Sequence, residues 1–298
     1  MRAGIIVLTF NTAALIGSVV REITIARLYG ATVETDSFWA AFFLPSTLGG
    51  FISGVLTQAF VPLFVARSKG LRGTPLKVIG WVGLATGLLC VPFVLFSREI
   101  VSVFFAGFDA ERAAMTARLL KLMIFLCIPI TLWGGFSAFE NARERFLFPA
   151  LGKALAPVIV VLTVVLFRED ISVLAAGYWV AWLVACALVA IGIFVHKREA
   201  VAQSEDGQTA AGLTYLKAIL IVAISMLTGG TAQGYIDRYF LSYLPPGYLS
   251  CYRYAKSVIL TGTGIISSTI ATVVLPRFSL FFDQTTQEKE RLYDCLLY

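Results

Sequence analysis

A chain of 298 residues with 58% hydrophobic and only 14% charged residues, and a mean hydropathy of +0.82, is too apolar for a soluble domain, in which about a quarter of residues are charged. Its net charge of +6 does not make it a nucleic-acid binder, because the basic residues are scattered among loops rather than clustered with interleaved aromatics. Apolar runs of about 20 residues recur along it without the short alternating strands of a barrel, so the fold class is all-α, polytopic and membrane-embedded.

Eight spans are expected, at 4–28, 37–66, 77–97, 117–140, 147–167, 171–195, 215–243 and 249–276. Span 1 offers Asn11, Ala14, Ser18 and Arg21 along one side, and Arg21-Glu22 stands where the sequence is still apolar on both flanks. A charge at mid-membrane costs at least ~2.5–3.5 kcal/mol and normally faces a cavity or a partner. For Arg21 this leaves two readings open: a wall of a polar cavity, or a side chain that snorkels outward or pairs locally. Span 2 carries Ser46, Gly50, Ser53, Gly54 and Thr57 at spacings of three and four, with Gln58 beside them. Such a stripe suits close helix packing, as do the Gly50-xxx-Gly54, Gly83-xxx-Gly87 and Gly230-xxx-Gly234 pairs, and it equally suits the lining of a cavity.

Breaks are expected at Arg67-Ser68-Lys69-Gly70, Arg98-Glu99, Arg143-Glu144-Arg145, Arg168-Glu169-Asp170, His196 to Gly212 and Pro245-Pro246-Gly247, where charge or Pro/Gly chemistry collects. Span 7 holds Ser225, Gly229, Ala232 and Gln233, then Asp237-Arg238, read as a neutralised pair near its end. Span 8 opens with Arg253 and Lys256 one turn apart, followed by Thr261, Gly264, Ser268 and Thr272. The last 22 residues read as a loop leading into a ninth span. The five cysteines form no CxxC pair and His196 has no ligand-spaced partner, so packing is the expected role of the thiols and no metal site is expected.

The loops after spans 2, 4, 6 and 8 hold 13 Lys and Arg residues, from Arg67 to Arg291. The opposite loops hold six: Arg27, Arg98, Arg112, Arg118, Lys121 and Arg168. Positive charge is retained on the cytoplasmic side, which places the N-terminus there. Sliding the sequence by 214 residues pairs Tyr29 with Tyr243, Ala41 with Ala255, Gly50 with Gly264, Ser53 with Ser267 and Pro62 with Pro276, among eight matches over 36 positions. Six spans separate the two copies, which makes them parallel repeats, a known transporter plan. The domains expected are a six-helix lobe over 1–200, a cytoplasmic linker over 201–214, and the first two helices of a second lobe over 215–298. The repeat makes spans 1, 2, 7 and 8 corresponding walls of one cavity.

An Arg fork and a Lys point charge both suit a pyrophosphate held out of bulk water. No nucleotide loop, HExxH, GxSxG or acidic metal cluster is present, so the chain does not read as an enzyme. The run Arg21-Glu22, Ala26-Arg27, Gly30-Ala31, Thr35-Asp36-Ser37-Phe38, Leu44-Pro45 and Gln58-Ala59-Phe60-Val61-Pro62, with Asn141 to Phe146 and Val274-Leu275-Pro276, resembles the MurJ/MviN family of lipid II flippases. That resemblance implies two six-helix lobes around a cationic cavity. It further implies alternating access that turns the head of a polyprenyl-pyrophosphate-linked glycan across the inner membrane for peptidoglycan or envelope polysaccharide synthesis.

Where the family pattern has further arginines, this chain has Ala14-Leu15, no basic residue between Pro45 and Arg67, and Lys256-Ser257. A relative that exports a different lipid-linked glycan therefore stands close to the leading reading. A cation-coupled drug antiporter and a non-transporting scaffold are also compatible with the sequence. Arg21, Arg253 and Lys256 are the expected substrate-binding residues. Asn11, Ser18, Glu22, Asp36, Gly50, Ser53, Gln58, Asp237 and Arg238 are the expected cavity or gating residues. No cofactor is expected; a Na+ or H+ gradient or the membrane potential would drive transport. The expected partners are the lipid-linked glycan, the membrane and envelope-synthesis enzymes, with no nucleic acid.

Overall fold

Apolar side chains along most of the chain leave the backbone no solvent to bond with, and helices satisfy it internally. The computed structural model describes residues 2–66, 74–141, 143, 145–167, 170–196, 223–224 and 231–281, and among these it holds helices and no strand. The first three helices are α1 (Arg2–Tyr29), α2 (Val33–Ala66) and α3 (Thr74–Leu95), followed by the short α4 (Ser97–Phe104). Next come α5 (Ala110–Met123), a 3-10 turn (Ile124–Leu126), α6 (Cys127–Asn141), α7 (Leu147–Phe167) and α8 (Ile171–His196). After the linker region come α9 (Ala232–Leu241) and α10 (Tyr248–Phe281). Five stretches among the described residues are long and apolar enough to cross a membrane: Val33–Thr57, Leu76–Leu95, Ala110–Asn141, Leu147–Phe167 and Ile171–Val195.

The expected ranges 147–167 and 171–195 are helical throughout. Two expectations are corrected. The break expected at Arg98-Glu99 is the helix α4, whose Ser97 and Val101 are buried while Arg98, Glu99, Ser102 and Val103 are exposed; it is amphipathic, so hydropathy averaging hides it. The span expected from 117 starts at Ala110. Its 3-10 turn lies just before Pro129, which has no N–H for the carbonyl four residues back.

The whole of the expected linker over 201–214, much of expected span 7 with Ser225, Gly229 and Gly230, and the C-terminal segment with Cys295 lie outside the described residues, as do the side chains of Gln58, His196, Ser268 and Thr272.

α2 is the hub: residues 35–45 are all buried, and the helix packs on α5, α6, α8 and α10. α7 packs on α1 and α8, while α6 takes α3 and α8. Small residues set the closest approaches. A Cβ on Gly83 would lie 2.7 Å from Leu132 and one on Gly87 3.5 Å from Ile128, so that pair serves helix packing on α6. Gly50 is exposed and its Cβ would meet nothing within 4 Å; its neighbour Gly49 is the packing residue, 3.0 Å from the Cys127 backbone. The Sγ atoms of Cys90 and Cys127 lie 3.1 Å apart, bringing α3 against α6.

Asp109 caps α5: its Oδ1 accepts from the Arg112 N–H at 2.8 Å and its Oδ2 from Arg112 Nε at 3.0 Å. The backbone bond from Arg112 is the main reason this carboxyl titrates below its ordinary range. Asp109→Ala should lower the stability of the N-terminal end of α5 by about 0.5–1 kcal/mol, a modest value because the carboxyl is half exposed. A depressed carboxyl stabilises above its unfolded pKa of about 4, and that stability disappears as pH falls through the lower native value. Thermal unfolding of variant and parent should therefore differ at pH 6 and converge in strong acid.

Candidate functional site

Three charged side chains meet where α1, α2, α8 and α10 converge. Arg21 and Glu22 come from α1 and Arg253 from α10. One oxygen, Glu22 Oε1, accepts from Arg21 Nη2 at 2.8 Å and from Arg253 Nη2 at 3.2 Å. The Glu22 side chain is only 2% exposed, so its burial is tolerable only because two guanidiniums compensate it. Each guanidinium also lies over an aromatic ring within cation–π range: Arg21 Cζ is 5.4 Å from the centre of Tyr178, and Arg253 Cζ is 4.8 Å from that of Trp39. The cluster carries a net positive charge.

Arg21 and Arg253 line a pocket of about 200 Å³ together with Phe42, Tyr178 and Trp182, closed from the α7 side by Ala156 and Val160. Around it several polar atoms have no hydrogen-bond partner among the described residues: Nε of Arg21, Nε of Arg253, Oε2 of Glu22 and the hydroxyl of Tyr178. An unmet buried donor costs about 1–3 kcal/mol. The two guanidinium Nε groups and the Tyr178 hydroxyl are three unpartnered donors beside this pocket, the kind of group that pairs with an acceptor-rich anion.

The pocket lies directly below a closure of the bundle. The N-terminus of α10 is preceded by Gly247, at φ +93° and without a side chain to cap it. Asp36 of α2 supplies the cap instead: its Oδ2 accepts from the Gly247 N–H at 2.7 Å, and its Oδ1 from the Ser250 N–H at 2.8 Å and the Ser250 hydroxyl at 2.6 Å. One carboxylate does what a capping box does with two side chains, and its charge faces the positive end of the helix. Nearby, Tyr254 donates to the Gly30 carbonyl at 3.0 Å, Arg112 Nη1 to the Leu244 carbonyl at 3.2 Å, and the Gly107 N–H to Ser242 Oγ at 3.0 Å. Gly107 and Gly247 allow the approach, since a Cβ would lie 2.5 Å from Tyr243 N and 2.6 Å from Ala31 O respectively. Trp39 and Arg253 each lie three residues beyond Asp36 and Ser250, less than one helical turn below the closure.

The remaining expected site residues separate into distinct settings. Lys256 donates to Asp237 Oδ2 at 2.9 Å and to Tyr252 OH at 2.8 Å, and Tyr252 also donates to Asp237. The expected Asp237–Arg238 pair is therefore corrected: Asp237 takes its cation from α10. Arg238 lies with Cζ 3.7 Å from the Phe43 ring and donates to the Gly234 carbonyl at 3.0 Å. Adjacent residues point roughly 100° apart on a helix, which is why the two ions separate. Ser53 is buried against α6, where a Cβ on Gly134 would fall 1.8 Å from its Oγ. Ser18 bonds back to the Ala14 carbonyl at 2.8 Å. Asn11 Oδ1 accepts from Lys153 Nζ at 3.2 Å. Tyr178, Trp39 and Lys153 carried no recognisable signal in the sequence, because aromatic rings and a lysine near a helix end are ordinary there.

A family model described as lipid II flippase MurJ matches residues 25–296. The chain is 25% identical over 272 residues to a probable lipid II flippase of Thermotoga maritima, covering 89% of this chain and 54% of that protein. It is 23% identical over 308 residues to a counterpart from Vibrio cholerae, covering 94% and 56%. A solved structure described as lipid II flippase MurJ in an inward closed conformation superposes with a TM-score of 0.72 at 21% identity, over 91% of this chain and 58% of that one. The chain thus spans about half the length of the curated relatives it matches.

Proposed function

The chain belongs to the MurJ lipid II flippase family, and from that premise we propose that it serves a flippase for a polyprenyl-pyrophosphate-linked glycan, with Arg21 and Arg253 receiving the pyrophosphate. The observation that carries this reading is the pair of guanidiniums held on one carboxylate oxygen beside the pocket, each with an unpartnered Nε. Arg forks match phosphate oxygens in geometry and stay charged out of water. A flippase moves its substrate without making or breaking a covalent bond, so no catalytic residue is assigned. Glu22 and Asp237 are each held by protein cations, which favours an anionic cargo over the cationic drugs of an antiporter.

In this reading residues 1–200 form one six-helix lobe, 201–214 link the lobes, and 215 onward begins a second, parallel one. Two contacts support it: Asp36 meets Ser250 and Arg253 stacks over Trp39, and each pair is separated by the 214 residues of the sequence repeat. Equivalent residues touch where a two-fold pseudo-axis passes between α2 and α10. The loop charge bias supports a cytoplasmic N-terminus in the inner membrane, so the Asp36 closure faces outward and its opening exposes the pocket to that side. A Na+ or H+ gradient or the membrane potential drives the cycle, and envelope-synthesis enzymes supply and consume the glycan.

Arg21→Ala and Arg253→Ala should each weaken binding of a polyprenyl pyrophosphate to the purified protein about 10- to 100-fold, the value of one charge-assisted hydrogen bond. Unchanged affinity in both variants, with normal folding, would refute the assignment.

A further inference from the structure

α7 carries a charge on a face that should have none. Its outward stripe is Leu155, Val158, Leu162 and Leu166, all exposed as lipid-facing residues are. The opposite arc holds Pro149, Gly152, Pro157, Val160 and Val164, all buried. At 100° per residue Lys153 falls in the middle of that buried arc, nearly opposite the lipid stripe, yet it is exposed. Its exposure therefore opens into the bundle, not into lipid. Lys153 shares this face with Ala156 and Val160, which wall the pocket beneath Arg21 and Arg253. Nζ is oriented by Asn11 Oδ1 of α1 at 3.2 Å, a neutral acceptor that adds no counter-charge. α1 and α7 are held together there by the approach of Gly17 to Pro157, 3.0 Å for a Cβ.

We infer that Lys153, positioned by Asn11, forms a second anion subsite that takes a carboxylate on the glycan head, and so determines which lipid-linked glycan the protein accepts. This rests on the pyrophosphate reading for Arg21 and Arg253. Lys153 lies seven residues along α7 from Val160, about 10 Å of helix, and Asn11 lies ten residues along α1 from Arg21, about 15 Å. One pyrophosphate does not bridge that separation, but a sugar between the two groups does. A charge this far from the phosphates contributes nothing to a neutral head, and a charge-assisted hydrogen bond to an acidic one.

The test is binding to the full chain in neutral phosphatidylcholine nanodiscs. Two probes are compared: polyprenyl pyrophosphate carrying a neutral N-acetylhexosamine, and the same lipid with a carboxylate-bearing ether on the sugar. The parent protein should prefer the acidic probe by about tenfold or more. Lys153→Gln should abolish that preference, Lys153→Arg should keep it, and Asn11→Ala should reduce it in part. Arg21→Ala should weaken both probes alike. No preference in the parent, or a preference that survives Lys153→Gln, overturns the inference. Loss of affinity for both probes to the same extent in Lys153→Gln also overturns it, as a general lysine–lipid contact would. If Arg21→Ala leaves both affinities unchanged, the pyrophosphate assignment fails on its own, whatever Lys153 does.

Discussion

Asp36→Ala is expected to release the first turn of α10 from α2 and to open the closure above the pocket. Three hydrogen bonds to a charged acceptor are lost, two of them from backbone N–H groups that have no other cap. Each such bond contributes about 1.5–3 kcal/mol, and because the three share one acceptor their sum is not additive. A net loss of at least about 3 kcal/mol follows, which is a factor of more than 100 in the closing equilibrium. Amide hydrogen exchange over 247–250 should accelerate by that factor, and a cysteine placed beside Trp39 should become reactive from the side of the closure. Asp36→Asn, which keeps one acceptor, should fall between. Exchange rates equal to the parent in Asp36→Ala would remove Asp36 from the closure mechanism.

Glu22→Gln is expected to be the most destabilising single change in the charge cluster. It leaves the half-buried Arg21 and Arg253 on the same neutral oxygen with no counter-charge. Removing one partner of a buried ion pair costs about 3–5 kcal/mol, and here two cations are stranded by one substitution. The double variant Glu22→Gln with Arg253→Gln restores the original net charge and should recover a large part of that loss, while still binding polyprenyl pyrophosphate about 10- to 100-fold more weakly than the parent. A double-mutant cycle on unfolding in detergent measures the coupling. Equal stability of Glu22→Gln and the parent would show that Glu22 does not hold the two arginines together.

The two predictions divide the site into parts that were unequally legible in the sequence. Arg21 and Glu22 stood out because charges inside an apolar run are expensive, and the structure joins them on α1 to Arg253 of α10. Asp36 was marked by its resemblance to a family motif, but its partners, Gly247 and Ser250, were not readable because a cap supplied by another helix leaves no local pattern. Lys256 matched Arg253 in the sequence, one turn along the same helix. The structure engages it with Asp237 and Tyr252, because three residues offset the two cations by about 60° around the helix and about 4.5 Å along it, enough to set them beside different neighbours. Lys153 read only as loop charge; its position in the buried arc of α7 becomes visible once the lipid-facing side of that helix is known.

The sequence alone was enough to determine that the chain is a polytopic helical membrane protein and where several helices lie, and it raised the expectation that segments 214 residues apart correspond. These are properties of hydropathy and of sequence self-similarity, both of which are carried residue by residue along the chain. Tertiary structure decided which glycines pack and which open, which carboxylate meets which cation, and where the orphaned donors converge. Those outcomes depend on the rotation of each helix about its axis against its neighbours. A rotation of half a turn exchanges a lipid face for a cavity face without changing the composition of the span.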